Sequence, residues 1–395
     1  MQFLYRFAMH KDKFVFSQLV SFLDRNKFNY IVRTYRGDKY VKHFTCWNQL
    51  LALMFGQLSN RESLRDLVIA LDAHRSKCYH LGMGKNVSKS SLARANQDRD
   101  YHIFEEYAYY LVNQARETRT TNIFDLSGHV YAFDSTTIDL CLSVFWWAKF
   151  RRRKGGIKVH TLYDVETQIP AFFHITEASV HDSKVMKEIP YEPGSYYIFD
   201  RAYNNFKMLY KIHQIGAYFV IRAKNNLQYR SIKWKRRLPR NVLSDLTIGL
   251  TGFYPKQYYP GSLRLVRYWD ELQQREFVFL TNATHISALQ VAELYKNRWQ
   301  VELFFKWLKQ HLKIKKFWGT TENAVRIQIY AAICTYCLVA IVQHDMKLER
   351  STYEVLQILS ISLTDKTNLR ELFSKTKFQN DKERNRLNGP NLFNF

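Results

Sequence analysis

The feature that most constrains the fold of this chain is a change in hydrophobic periodicity at about residue 128. Up to about residue 125, apolar residues recur at the spacing of amphipathic helices, as in TCWNQLLALMFGQL and ESLRDLVIALDAH. Beyond it, the pattern predicts a strand, a hairpin turning at residues 166–168, a helix, a strand, a helix and a strand. Because a strand that follows a crossover helix returns parallel to its predecessor, this order predicts an α/β sheet with parallel crossovers.

Two aspartates follow apolar residues of predicted strands. Asp134 follows VYAF and Asp200 follows SYYIF, so each is expected to end its strand. In open α/β sheets the carboxyl ends of strands bind ligands. An isolated aspartate at the end of a strand is more often a helix cap or a turn former. The two aspartates therefore predict a ligand site only together with further acidic residues.

A third carboxylate lies in VAELYKNRWQVELFFKWLKQHLKI, which lacks Gly and Pro and is predicted to be one long helix. At about 100° per residue, Tyr295, Arg298, Glu302 and Lys309 fall within an arc of roughly 60°. Such a face suits a metal ion bound to a phosphodiester, because the carboxylate ligates the metal while the cations grip phosphates. The alternative is a solvated helix face with a few ion pairs.

The charge balance points to a polyanionic partner. The chain of 395 residues has 59 Lys and Arg against 35 Asp and Glu, a net charge of +24. Nucleic acid is the first candidate and an anionic membrane the second. The most apolar segment, residues 329–342, is shorter than the roughly 20 residues of a membrane span. No membrane contact is therefore expected. Five scattered cysteines and the lack of a secretory signal predict a reducing cytoplasm.

Asp134, Asp200 and Glu302 together predict an all-oxygen metal site. Carboxylate oxygens suit Mg²⁺ or Mn²⁺. Two such ions about 4 Å apart activate a water or a 3′-hydroxyl and stabilise the leaving oxygen. In so basic a chain, the three carboxylates indicate a metal-dependent nuclease centre.

These residues resemble those of DDE transposases of the IS4 family, which bacterial insertion sequences encode. The family motif Tyr-x2-Arg-x3-Glu-x6-Lys is matched at every position by Tyr295, Arg298, Glu302 and Lys309. The family's first aspartate is expected in a strand such as YAFDSTTIDL, and its second in a motif such as FDRAY, which gives Asp134 and Asp200. The pattern covers residues from about 128 to 318.

The resemblance implies an α/β fold with an RNase H-like catalytic core interrupted by a β-rich insertion. An N-terminal, mostly helical DNA-binding domain and C-terminal helices would flank it. The expected divisions are 1–125 for the helical domain, 126–224 for the first part of the core, 225–285 for the insertion, 286–375 for the Glu302 helix with the C-terminal helices, and 376–395 for a basic tail predicted to be disordered.

The resemblance also implies an activity. The protein would bind the inverted-repeat ends of its insertion sequence, cleave them with Mg²⁺ through hairpin ends, and transfer them into target DNA. Pairing of two ends implies a homodimer, and the location would be the bacterial cytoplasm, associated with the nucleoid. Two alternatives remain open: an RNase H-fold nuclease without strand transfer, and a non-catalytic DNA-binding protein.

Further DNA contacts are predicted in two places. Residues 81–90 form a glycine-containing break between predicted helices. This arrangement resembles a helix-turn-helix motif, in which Arg94 and Asn96 would face a DNA groove. A plain helical bundle gives the same pattern. Arg151, Arg152 and Arg153 lie in a basic loop that would line a DNA channel; a solvated loop is the alternative. The pair His181–Asp182 opens a helix, with Asp182 a minor candidate for the layer just outside the metal ligands.

Overall fold

The protein is described here by a computed structural model covering residues 12–117, 119, 123–141, 143–151, 154–311 and 317–374. Its N-terminal part is helical, as the periodicity predicts. Side chains of Asp24, Thr45, Ser63 and Ser88 accept hydrogen bonds from backbone N–H groups at the starts of four helices. The helices are α1 (Val15–Val20), α2 (Arg25–Thr34), α3 (Cys46–Leu58), α4 (Leu64–Ala73), α5 (Lys89–Asp98) and α6 (His102–Glu117).

A ten-stranded mixed sheet forms the centre of the described residues. Its strands are β1 (Val130–Leu140), β2 (Lys149–Arg151), β3 (Lys154–Asp164), β4 (Ile169–Glu177), β5 (Tyr196–Phe199), β6 (Tyr218–Arg222), β7 (Tyr229–Trp234), β8 (Val242–Leu250), β9 (Leu263–Asp270) and β10 (Arg275–Thr281). Short helices α7 (Asp182–Val185), α8 (Phe206–Gln214) and α9 (Phe253–Tyr258) lie between strands. The predicted mixed α/β class is confirmed.

The centre of the sheet is parallel and its flanks are antiparallel. β5 pairs in parallel with β1 on one side and β6 on the other. All four residues of β5 are buried, as expected for a central parallel strand covered on both faces. β1, β3 and β4 form an antiparallel meander, with β3 and β4 joined at residues 165–168 where the hairpin was predicted.

Asp134 does not end its strand, contrary to the prediction. β1 continues to Leu140, because its second half still pairs with β3. The parallel pairing with β5, however, stops at Phe133 opposite Phe199. Asp134 directly follows Phe133, and Asp200 directly follows Phe199, so the parallel register places the two aspartates side by side.

Residues 225–285 contain the predicted strands, but these strands extend the central sheet. β10 pairs antiparallel with β6, and β9, β8 and β7 follow outwards in that order. The same sheet therefore supports both the aspartates and this β-rich segment.

The predicted single long helix is broken in two, so that prediction was wrong. α10 (Ala288–Lys296) ends at Asn297, whose Nδ2 donates to the Glu293 carbonyl at 2.9 Å. The backbone N–H groups of Arg298 and Gln300 then bond to carbonyls three residues back, a tighter turn than an α-helix. α11 (Trp299–His311) restarts the helix and carries Glu302.

The C-terminal helices α12 (Glu322–Asp345), α13 (Thr352–Ser362) and α14 (Leu369–Phe373) pack on the N-terminal helices. One hydrophobic cluster joins residues from both groups and from the sheet, so they share a core across residue 125. α12 is long and apolar enough to cross a membrane, but 89% of its most apolar window is buried in the protein, as expected for a core helix. The predicted tail, 376–395, lies outside the described residues.

Candidate active site

Three separate elements bring the predicted carboxylates to one end of the parallel strands. Asp134 lies on β1, Asp200 follows β5, and Glu302 lies in the first turn of α11. The side chain of Asp134 is 21% exposed and that of Glu302 is 56% exposed. The Asp134 carboxylate is therefore partly buried, whereas the Glu302 carboxylate is open to solvent.

Arg298 connects two of these carboxylates. Its Nη1 donates to Asp134 Oδ2 at 2.8 Å, and its Nη2 donates to Glu302 Oε1 at 2.6 Å. The break between α10 and α11 places Arg298 at the junction, where its side chain is 15% exposed. The guanidinium thus lies between the two carboxylates, and its single positive charge offsets part of their combined negative charge.

Tyr295 holds the third carboxylate. Its hydroxyl donates to Asp200 Oδ1 at 3.0 Å, and its ring packs on Phe279 of β10. Burial, with the nearby negative charge of Asp200, raises the pKa of Tyr295 to about 12. The phenol therefore stays protonated at neutral pH and orients the Asp200 carboxylate.

Lys309 lies two helical turns beyond Glu302. Its Nζ donates to the Thr137 carbonyl of β1 at 2.8 Å. The four motif residues thus face the same sheet end despite the helix break, and each makes a contact there. The flanking Phe304 and Phe305 are instead buried in the core.

Burial raises the pKa of Asp134 to about 6, against the opposing charge of Arg298. The negative charges of Glu302 and Asp200 add to the increase. A carboxylate in this environment gains from an additional cation, and the donors are all oxygens, as Mg²⁺ or Mn²⁺ requires. Among the described residues, however, no three Asp, Glu, His or Cys side chains already form a metal-binding group. The residues fit a divalent cation, provided that Arg298 gives up its contacts.

A polar layer lies behind Asp134. Ser135 donates to Asp182 Oδ1 at 2.8 Å, and Lys158 Nζ lies 3.0 Å from the same oxygen. His160 Nδ1 is 3.9 Å from it, and His160 is fully buried. The sequence did not predict that Ser135 and Lys158 contact Asp182, because the two residues come together only through the pairing of β1 and β3.

The predicted DNA contacts of α5 differ in their placement. Arg94 is exposed. Asn96 is 3% exposed, and its Oδ1 accepts a hydrogen bond from Gln49 Nε2 at 2.7 Å. The Asn96 amide therefore faces the protein interior, and the prediction that it contacts a base is wrong for this structure.

The basic loop that contains Arg151 and a second basic segment, residues 230–240, lie at opposite edges of the sheet. Arg151 ends the edge strand β2, while Arg152 and Arg153 lie outside the described residues. The segment Arg230–Arg240 starts on the other edge strand, β7, all six of whose residues are exposed.

The comparisons with known proteins agree with this geometry. A family model described as a transposase DDE domain matches residues 126–338, more than half of the 395-residue chain. The chain belongs to the DDE transposase family. A second family model, for a domain of unknown function, matches residues 11–84 of this DDE transposase.

Three relatives of this transposase extend the agreement. A candidate transposase of Sinorhizobium fredii is 33% identical over 276 residues, covering 68% of this chain and 75% of the relative. One named for insertion sequence element IS5377 of Geobacillus stearothermophilus is 30% identical over 63% of this chain and 66% of the relative. One named for element IS4SA of Synechocystis is 24% identical over 88% of this chain and 98% of the relative. The predicted resemblance to IS4-family DDE transposases, which are metal-dependent enzymes acting on DNA, is confirmed.

Proposed function

We propose that this transposase binds the inverted-repeat ends of its own insertion sequence, cleaves them and joins them to target DNA. The observation that carries the proposal is the convergence of Asp134, Asp200 and Glu302 on Arg298 and Tyr295 at one sheet end. These residues come from segments up to 168 positions apart in the sequence. A solvated helix face does not explain such long-range contacts.

In this proposal Asp134, Asp200 and Glu302 hold the divalent ions, with two Mg²⁺ as the expected number. When bound, such ions stabilise negative charge on phosphodiester oxygens and favour attack by water or a 3′-hydroxyl. The chain itself supplies the orientation. Tyr295 fixes the Asp200 carboxylate, and the backbone N–H of Ser135 donates to Asp134 Oδ1 at 2.8 Å.

Arg298 and Lys309 would then contact phosphates beside the cleaved bond. A guanidinium binds carboxylates and phosphates with the same fork of N–H donors, so Arg298 can exchange one for the other. Its contacts with Asp134 and Glu302 would be given up when phosphates bind. The Arg298 guanidinium would exchange its contacts with the carboxylates for contacts with the phosphates of the substrate.

Further steps are proposed on the family resemblance. A hairpin would form on the transposon end, a second hydrolysis would open it, and strand transfer would follow. The end-paired complex would be a homodimer associated with the nucleoid. The solvent-exposed Arg94 of α5 and the basic segment containing Arg151 would add DNA contacts.

A joining assay separates this proposal from a nuclease that only cuts. A labelled, already cleaved transposon end is incubated with the protein, Mg²⁺ and a supercoiled plasmid. The proposal predicts label covalently attached to the plasmid. Cutting of uncleaved ends without any joining would identify a nuclease, and binding without cutting would identify a non-catalytic DNA-binding protein.

A further inference from the structure

The helical region before residue 85 carries a basic, aromatic surface that the active site does not use. From Arg25 to His43 the sequence has six Lys and Arg and one acidic residue, Asp38. The surface includes the end of α2 and the turn before α3. Tyr30 is 64% exposed and Tyr40 is 90% exposed.

Three of the cations surround one depression. It has a volume of about 550 Å³ and is lined by Asn29, Val32, Arg33, Arg36, Asp38 and Lys39. Asp38 Oδ1 accepts a hydrogen bond from the Cys46 backbone N–H at 2.7 Å, so its carboxylate is committed to the start of α3. The other charged residues that line the depression, Arg33, Arg36 and Lys39, are positive and suit a phosphate group.

The turn is held in an unusual shape. Arg36 and Tyr40 have φ values of 52° and 61°, a left-handed conformation that costs a non-glycine residue of the order of 1 kcal/mol or more. A Cβ at Gly37 would lie 2.4 Å from Ile103 Cδ1, so the turn is pressed against the core. The Gly37 backbone N–H bonds to the Val32 carbonyl at 2.9 Å, which closes the end of α2 and fixes the backbone of the turn that carries the cations.

We infer that Arg33, Arg36 and Lys39 bind the phosphate backbone of double-stranded DNA, with Tyr40 extending along the same strand. The contact would be independent of sequence and separate from the cleavage site. It rests on the proposed function, since the partner is the DNA that the active site cleaves. It also assigns a role to residues 33–40 within the matched domain of unknown function.

The test measures binding of the full-length protein to a fluorescent DNA duplex in EDTA, at salt concentrations from 50 to 200 mM. The variant is Arg33→Gln/Arg36→Asn/Lys39→Gln, in which Asn suits the positive φ of residue 36. Losing three phosphate contacts should reduce the log–log salt slope by about 2.7. Over this salt range the wild-type affinity should then fall about 40-fold more than that of the variant.

The matched control is Lys187→Gln/Lys211→Gln/Lys366→Gln, which removes the same charge from exposed positions elsewhere. Equal slopes for the two triple variants would overturn the inference. The inference would also be overturned if the Arg33/Arg36/Lys39 variant lost binding to anionic lipid vesicles but kept its binding to DNA. Thermal unfolding of each variant checks that it is folded, and Tyr40→Asn gives a second, uncharged test with a smaller expected loss that does not depend on salt.

The outcomes remain distinct from those of the proposed function. If the wild type binds DNA through this surface but never cuts with Mg²⁺, the inference stands and the transposase activity falls. If the wild type cuts and joins DNA but both triple variants bind equally, the activity stands and the inference falls.

Discussion

Arg298 Nη1 lies 2.8 Å from Asp134 Oδ2, so the positive charge of Arg298 offsets the negative charge of this carboxylate. The same guanidinium reaches Glu302 at 2.6 Å. A divalent ion binding these carboxylates must compete with Arg298. The arginine therefore has two predicted effects of opposite sign, stabilising the metal-free protein and opposing metal binding.

The variant Arg298→Gln tests the first effect. Removing one partner of a partly buried pair leaves the other charge poorly compensated, and the expected loss, between those of exposed and fully buried pairs, is about 2 kcal/mol in the free energy of unfolding without metal. Urea unfolding in EDTA measures it. Arg240→Gln is the control, because its ion pair with Glu271 is exposed and should cost less than about 1 kcal/mol. Similar losses in both variants would contradict the structural role of Arg298.

The second effect is seen when metal is added. Mn²⁺ should raise the melting temperature of Arg298→Gln more than that of the wild type, because the ion no longer competes with a guanidinium. Thermal unfolding with and without Mn²⁺ measures the difference. An equal increase in both proteins would show that Arg298 does not oppose metal binding.

Tyr295→Phe should lower the cleavage rate about tenfold while leaving DNA affinity within twofold, since a positioning hydrogen bond to a charged group is worth roughly 1.5 kcal/mol. The ring packing on Phe279 is kept, and only the hydroxyl bonded to Asp200 is lost. Single-turnover cleavage and equilibrium binding are measured side by side. Tyr254→Phe, at an exposed tyrosine, is the control and should change neither quantity. An unchanged cleavage rate in Tyr295→Phe would remove Tyr295 from the positioning role.

His160 should make the stability depend on pH. Burial lowers its pKa to about 4, whereas the unfolded chain titrates near 6.5. The depressed pKa means that stability is fully present above about pH 6.5 and is lost as the pH falls towards 4, by up to roughly 3 kcal/mol. Asp134, whose pKa is raised to about 6, acts in the opposite direction over part of this range.

The difference between wild type and His160→Gln isolates the histidine. Urea unfolding at pH 7 and pH 5 should show a smaller acid loss in His160→Gln than in wild type. The exposed His43→Gln is the control and should follow the wild type. Parallel pH profiles for His160→Gln and wild type would show that His160 does not carry this dependence.

The spacing of the motif predicted that Tyr295, Arg298 and Glu302 lie together. They do so in the structure although Tyr295 and Glu302 belong to two separate helices. Motif spacing did not predict the helix break at Asn297, where the side chain donates to the Glu293 carbonyl one turn earlier. The burial of Asn96 depends on Gln49, which is distant in sequence and meets it only in the folded core. Local patterns thus predicted the composition of the candidate site, while tertiary partners decided which polar residues stay accessible.

The most direct test of the central claim is cleavage of a labelled DNA fragment carrying the inverted repeat beside this gene. It is run with Mg²⁺ and with EDTA, for wild type, Glu302→Gln and Glu293→Gln. Glu293 is an exposed glutamate on the preceding helix and undergoes the same chemical change. The account predicts cutting at the element's end in wild type and Glu293→Gln with Mg²⁺ only, and none in Glu302→Gln despite normal DNA binding. Metal-independent cutting, or cutting retained in Glu302→Gln, would contradict it.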